Sequence, residues 1–179
     1  MIALTFDDGP NEPCTRQILD VLGEYGAKAT FFVIGKWVRQ SPEIVREVSA
    51  AGHEIGNHTD THEPMPSGED ISRCADSVLS AICDFPKSFR APYGAVTTEF
   101  ADWHTPWDVH GGDWDADSVE AITEPIFKYL DEHRKGIVLL HDGYYKEFGA
   151  DRSKTVEATR RILERYKCEK FVTIGEYMQ

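Results

Sequence analysis

Ile2-Ala3-Leu4-Thr5-Phe6-Asp7-Asp8-Gly9-Pro10 opens the chain, an apolar run that stops abruptly at two adjacent carboxylates. The run predicts a buried strand over Ile2 to Phe6, with polar chemistry at its C-terminal end. Asp-Asp-Gly-Pro is also ordinary turn chemistry, because aspartates bond their own backbone, glycine supplies positive φ and proline fixes φ. Like charges side by side in a low-dielectric setting repel, however, so keeping both ionised calls for a metal, an arginine or plentiful water nearby. Consecutive side chains on a strand point opposite ways, so both carboxylates can reach one site only where the strand ends and turns.

Similar short runs, apolar, β-branched or aromatic, recur at Thr30 to Ile34, His53 to Gly56, Ser88 to Arg90, Pro106 to Val109, Ile137 to His141 and Phe171 to Ile174. Helix-like stretches lie between most of them, at Thr15 to Tyr25, Ser41 to Ala51, Asp70 to Cys83, Ser118 to Lys135 and Lys154 to Tyr166. Strand and helix alternate, which predicts an α/β fold of parallel strands with helices packed outside, either a doubly wound sheet or a (β/α) barrel. Ile137-Val138-Leu139-Leu140, apolar at every position, fits a strand buried on both faces.

The 179 residues and 41% hydrophobic content suit one domain spanning 1–179 with a sizeable core. A net charge of -12 argues against nucleic acid or an anionic membrane as partner. No apolar run reaches the roughly 18 residues of a membrane span. Nothing in the chain directs it to export, which leaves a cytoplasmic protein or a trimmed secreted domain. Cys14, Cys74, Cys83 and Cys168 lack Cys-x-x-Cys spacing and read mostly as reduced packing residues.

Polar residues fall repeatedly at predicted strand ends, where barrels of this type carry their chemistry. Asp7 and Asp8 follow the first strand, His58 and His62 the third, Arg90 ends the fourth, Asp113-Trp114 follow the fifth, and His141-Asp142 close the sixth. His-x-x-x-His spacing lets two imidazoles share one face of a helical turn, but Thr59 stands where a metalloprotease needs its glutamate. Asp7 and Asp8 can supply the missing acid. Two histidines and an aspartate form a set of three ligands with open positions, a catalytic type of arrangement that suits hydrolytic zinc or oxygen-activating iron(II) alike.

Thr5-Phe6-Asp7-Asp8-Gly9-Pro10, His58-Thr59-x-x-His62, Arg90-Ala91-Pro92-Tyr93, Asp113-Trp114 and Leu139-x-His141 together resemble the five ordered motifs of NodB-type polysaccharide deacetylases, carbohydrate esterase family 4. The resemblance spans Ile2 to Ile174 and implies a distorted (β/α)7 barrel, a single NodB homology domain. It implies a metal-dependent hydrolase that removes acetyl groups from a carbohydrate: an N-acetylglucosamine-containing glycan such as chitin oligomers or peptidoglycan, or acetylxylan. Asp8, His58 and His62 would hold one divalent ion, zinc in most of the family, with cobalt or nickel as alternatives. Asp7 would be the general base, with Arg90 paired to it. His141 would be the general acid, oriented by Asp113. Tyr93 would contribute its backbone N–H to the oxyanion, and Trp114 and Leu139 would wall the acetyl methyl pocket. The implied partner is a carbohydrate substrate, met by a monomer.

Two features depart from the family pattern. Glu63 follows His62 where many members have proline, and only the 19 residues from Gly94 to Gly112 separate Tyr93 from Asp113, so the helix expected between these motifs must be abbreviated. His53, His104, His110 and His133 match no motif and read as structural. Trp37, Trp103 and Trp107 suit packing better than sugar stacking. Hydrolysis of a formyl or cyclic amide, and an inactive carbohydrate-binding homologue, are the competing functions. The second has no need of the base and acid residues that the chain retains.

Overall fold

The computed structural model describes residues 1–96 and 98–179. Six strands form one parallel sheet: β1 (Ile2–Gly9), β2 (Ala29–Val33), β3 (Glu54–Asn57), β4 (Ser88–Phe89), β5 (Val109–His110) and β6 (Gly136–His141), in the order β4-β3-β2-β1-β6-β5. Among the described residues seven helices connect or flank them: α1 (Cys14–Glu24), α2 (Gly35–Gln40), α3 (Pro42–Ala50), α4 (Gly68–Ile82), α5 (Val119–His133), α6 (Ser153–Arg165) and α7 (Ile174–Tyr177). The two edges of the sheet meet through one segment. His104 bridges Phe89 beside β4, while Asp108, four residues on, donates its N–H to Ile137 O beside β6 at 2.9 Å. The sheet therefore curls into an irregular barrel, one of the two architectures the alternation of elements allows and the one the family resemblance implies.

Period-two alternation divides each central strand between two environments. Ile2, Leu4 and Phe6 of β1 join Phe31 and Val33 of β2 and Val138 and Leu140 of β6 in the main core beneath the helices. Ala3, Phe32, Ile137 and Ile174 pack together as a separate cluster. Full burial on both faces explains why β1 and β6 read as unbroken apolar runs. The strand ends are in register: His141 pairs with Asp7, and Val33 with Gly9 and with Asn57, which itself pairs with Phe89. That row brings the chemistry-bearing residues to one rim.

Four elements differ from the sequence expectation, the fifth strand by its place: expected over Pro106 to Val109, it is Val109–His110. The first strand continues past Phe6 to Gly9, its register against β2 shifting between Asp7 and Gly9. The seventh strand is reduced to a bridge between Phe171 and Ile2. A capping box formed by Thr173 and Glu176 starts α7 at Ile174, whose N–H bonds Thr30 Oγ1 at 2.9 Å, so the chain turns away where a strand would continue. Helix α2 has no counterpart in the sequence reading, because six residues are too few to show a helical period. Between Tyr93 and Asp113 only short 3-10 turns and β5 occur among the described residues, in keeping with the abbreviated connection. Cys74 and Cys14 are buried, but Cys83 and Cys168 are exposed, so the packing assignment fails for those two.

Candidate active site

The two carboxylates at the end of β1 reach the same site through a bulge. Asp8 holds φ 73°, a left-handed conformation that rotates its side chain out of strand alternation. Room for the bulge comes from Gly9 and Gly143. A Cβ on Gly9 would overlap the Asp142 carboxylate, and one on Gly143 would overlap the Asp8 carbonyl.

Asp8, His58 and His62 converge, all three buried, with their ligand atoms within 4.8 Å of one another. Asp8 Oδ1 stands 3.5 Å from His58 Nε2 and 3.2 Å from His62 Nε2, yet it is a buried oxygen with no hydrogen-bond partner. His58 Nδ1 donates to Arg90 O at 2.8 Å, which leaves its Nε2 lone pair facing Asp8. Burial pushes the His58 pKa down and keeps the imidazole neutral. Burial alone would push Asp8 up, but the His62 imidazole and the charge of His141 outweigh it and hold the carboxyl at about 2. An orphaned carboxylate oxygen facing two imidazole nitrogens is the donor set a divalent cation satisfies.

Asp7 is gripped from inside the barrel. Arg90 is completely buried and donates from Nη1 to Asp7 Oδ1 and to Thr5 Oγ1, both at 2.8 Å. Its Nε bonds Thr105 O at 3.1 Å, its Nη2 bonds Pro106 O at 3.3 Å, and its guanidinium lies 4.2 Å over the Phe32 ring. A planar fork held at so many points is fixed in orientation, and so is the carboxylate it holds.

Across the rim, His141 Nδ1 donates to Asp113 Oδ1 at 2.9 Å. Asp113 Oδ2 accepts from His141 N at 2.7 Å and from Thr155 Oγ1 at 2.8 Å. Burial alone would lower the His141 pKa, but Asp113, with Asp8 and Asp7 behind it, raises it to about 9. Burial likewise pushes Asp113 up, and His141 and Thr155 pull it below its ordinary value. The pair forms an acid whose proton is retained at neutral pH. Asp7, Asp8, His58, His62 and His141 line a cleft of about 740 Å³ together with Tyr93, Trp107, Trp114 and Leu139, while Arg90 and Asp113 stand behind its wall.

The polysaccharide deacetylase family model matches residues 1–105. The chain belongs to this polysaccharide deacetylase family. It is 37% identical over 196 residues to a peptidoglycan-N-acetylglucosamine deacetylase of Bacillus cereus, covering 100% of this chain and 88% of that protein. It is 41% identical over 177 residues to a chitooligosaccharide deacetylase of Bradyrhizobium, covering 89% and 77%. The solved structure of the peptidoglycan deacetylase PdaC from Bacillus subtilis superposes with a TM-score of 0.84 at 29% identity, covering 98% of this chain and 88% of that one.

Every residue that the deacetylase resemblance singles out reaches this one rim: Asp7, Asp8, His58, His62, Arg90, Tyr93, Asp113, Trp114, Leu139 and His141. Trp107 lines the cleft as well, whereas Trp37 packs against Phe148 and Trp103 lies exposed outside it. His53 and His104 are structural, accepting from the N–H groups of Ala29 and Ala91. Cys14 sits beside the cleft wall, where its Sγ accepts from Arg152 N at 3.3 Å.

The loop after β6 escaped the sequence reading. Tyr145 stacks on His62, ring centroids 4.2 Å apart and planes at 16°, and Tyr144, Asp151 and Arg152 complete that wall. Their position just past a predicted strand end was the available signal. Asp142, equally at home in a turn, is instead completely enclosed behind Gly9. Burial raises its pKa to about 7, with Asp8 and Asp7 adding to the shift, while its carboxylate accepts from Thr15 Oγ1.

Proposed function

We propose that this chain hydrolyses acetyl groups from an N-acetylglucosamine-containing glycan, chitin oligomers or peptidoglycan, with acetylxylan as the O-acetyl counterpart. The observation that carries the reading is the unpartnered Asp8 oxygen facing two imidazoles while Asp7, next in sequence, is held by Arg90 instead. Asp8, His58 and His62 would hold one divalent ion, zinc by preference and cobalt or nickel in its place. Such an ion would supply polarisation of the acetyl carbonyl and a lowering of the pKa of water from about 15.7 toward about 7.

Asp7 takes the proton of the attacking water, and Arg90 keeps the carboxylate aimed at it. Tyr93 offers its backbone N–H to the oxyanion of the tetrahedral intermediate, supported by a positive φ of 57° that sets the local turn at the cleft wall. His141, protonated through its contact with Asp113, gives its proton to the leaving amine nitrogen. Trp114 packs edge-on to His141 with centroids 5.3 Å apart, and Leu139 lies beside it, a pair suited to the acetyl methyl. The reading takes residues 1–179 as one catalytic domain working as a monomer.

Acetate release from chitooligosaccharide, peptidoglycan fragments and acetylxylan, with zinc or cobalt added, tests it. Asp7→Asn is expected to retain the ion and lose turnover, and His58→Ala to lose both. Loss of the ion in Asp7→Asn would show the two aspartates exchanged in role. No acetate from any of the three glycans, with metal bound, would sink the reading.

A further inference from the structure

The residues between the two histidines are held from behind by bonds that none of the roles above uses. Thr59 and His62 hold φ of 69° and 65°, conformations that non-glycine residues keep only where their surroundings over-determine them. Between them Asp60 is buried, 4% exposed. Arg39 of α2 grips its carboxylate with both Nη atoms, at 2.5 and 3.1 Å. Arg73 of α4 approaches the same carboxylate, its Nε 3.6 Å from Oδ2, and a Cβ on Gly35 would overlap Oδ1.

The rest of the loop is tied to the same two helices. The N–H groups of Gly35 and Lys36 donate to the carbonyls of Thr59 and Asp60 at 3.0 and 3.2 Å, laying the first turn of α2 against the loop. Thr61 Oγ1 donates to Asp70 of α4 at 2.8 Å, and Arg73 Nη2 reaches that same oxygen at 3.3 Å. Asn57 closes the other end, accepting from Thr59 N and donating to Ile71 O.

We infer that Asp60 is a positioning residue for the ion site: clamped by Arg39 and Arg73, it presets His58 and His62 on one side of Asp8 and so raises the affinity for a divalent cation. This rests on the reading of Asp8, His58 and His62 as ion ligands. Groups that orient ligands from behind typically change metal affinity by about 10- to 100-fold. A bidentate arginine–carboxylate pair with its acidic end buried has the rigidity the task needs. The plain alternative is that Asp60 only welds α2 to α4, which would affect unfolding and leave the ion untouched.

Zinc affinity by chelator competition, and the visible absorption of the cobalt(II) complex, separate the two in Asp60→Asn and Arg39→Met. Arg16→Met serves as control, because Arg16 forks Glu47 at 2.7 and 2.9 Å, linking α1 to α3 away from the site. Both clamp variants are expected to bind zinc about 10- to 100-fold more weakly and to shift the cobalt bands, with Arg16→Met matching wild type. Wild-type affinity and spectrum in both clamp variants overturn the inference. Should Asp60→Asn fail to fold, Arg39→Met, which removes a half-exposed side chain, decides alone. His58→Ala separates the two levels: if it loses the ion while the clamp variants bind it with wild-type affinity, only the clamp fails. Equal binding by His58→Ala and wild type removes the ion-site reading and the clamp with it.

Discussion

Replacing Asp113 by asparagine tests the acid half of the site through the shape of a pH profile. The His141 imidazole stands at about 9 against an ordinary 6.5, raised by Asp113 against the downward push of burial. The difference of about 2.5 units corresponds to roughly 3 kcal/mol favouring the protonated ring. The amide oxygen of the asparagine can still accept from His141 Nδ1, so the ring keeps a partner and loses the charge that holds its proton. Only the weaker pull of Asp8 and Asp7 then opposes burial, and the pKa falls back toward its ordinary 6.5. The sign follows: the acid must carry its proton, so activity is lost as pH rises through the His141 pKa, and the variant loses it earlier. At pH 8 a group of pKa 9 is about 90% protonated and one of 6.5 about 3%, a ratio near 30; at pH 6 the same two groups differ by less than about 2-fold. A bound divalent cation lowers both limbs together, so their separation is the readout. The assay is kcat/KM for acetate release from pH 5.5 to 9.5. Any loss from disturbed packing enters equally at all pH values. Parallel profiles, with the same fold-loss at pH 6 and pH 8, would refute the assignment of Asp113 as the group that keeps His141 charged.

Arg90→Met is expected to destabilise the chain by about 3–5 kcal/mol in chemical denaturation, because it strands the buried Asp7 carboxylate without its partner; a loss below about 1 kcal/mol would contradict that account. Asp142→Asn probes a different linkage in metal-free protein. Burial raises the folded pKa of Asp142 from 3.8 to about 7, so the stability it contributes is complete below 3.8 and is lost as pH rises through 7. Wild type should therefore lose on the order of 4 kcal/mol across that window that the asparagine variant keeps, read as a widening gap in Tm between pH 4 and 8. A gap independent of pH would mean that Asp142 ionises as freely folded as unfolded.

The alternation of strand and helix, the doubly buried strands β1 and β6, and the ionisable residues at successive strand ends were determined by local sequence. Period-two burial and strand-end polarity leave marks within a few residues of each other, and five such marks in order specify the family. The tertiary structure decided matters that depend on what lies across the barrel. The family resemblance implied that Arg90 pairs with Asp7, but only the approach of Thr5, Asp7, Thr105 and Pro106 makes it a fully buried anchor. Asp142 likewise fits a turn until Gly9 and Thr15 close over it. The expected seventh strand lost to α7 because a capping box and a bond to Thr30 turn the chain at Ile174. The opening pair shows the division most clearly. Adjacent aspartates at a strand end are visible in sequence, but the bulge that turns Asp8 toward two histidines while Asp7 faces an arginine is set by contacts with residues far away along the chain.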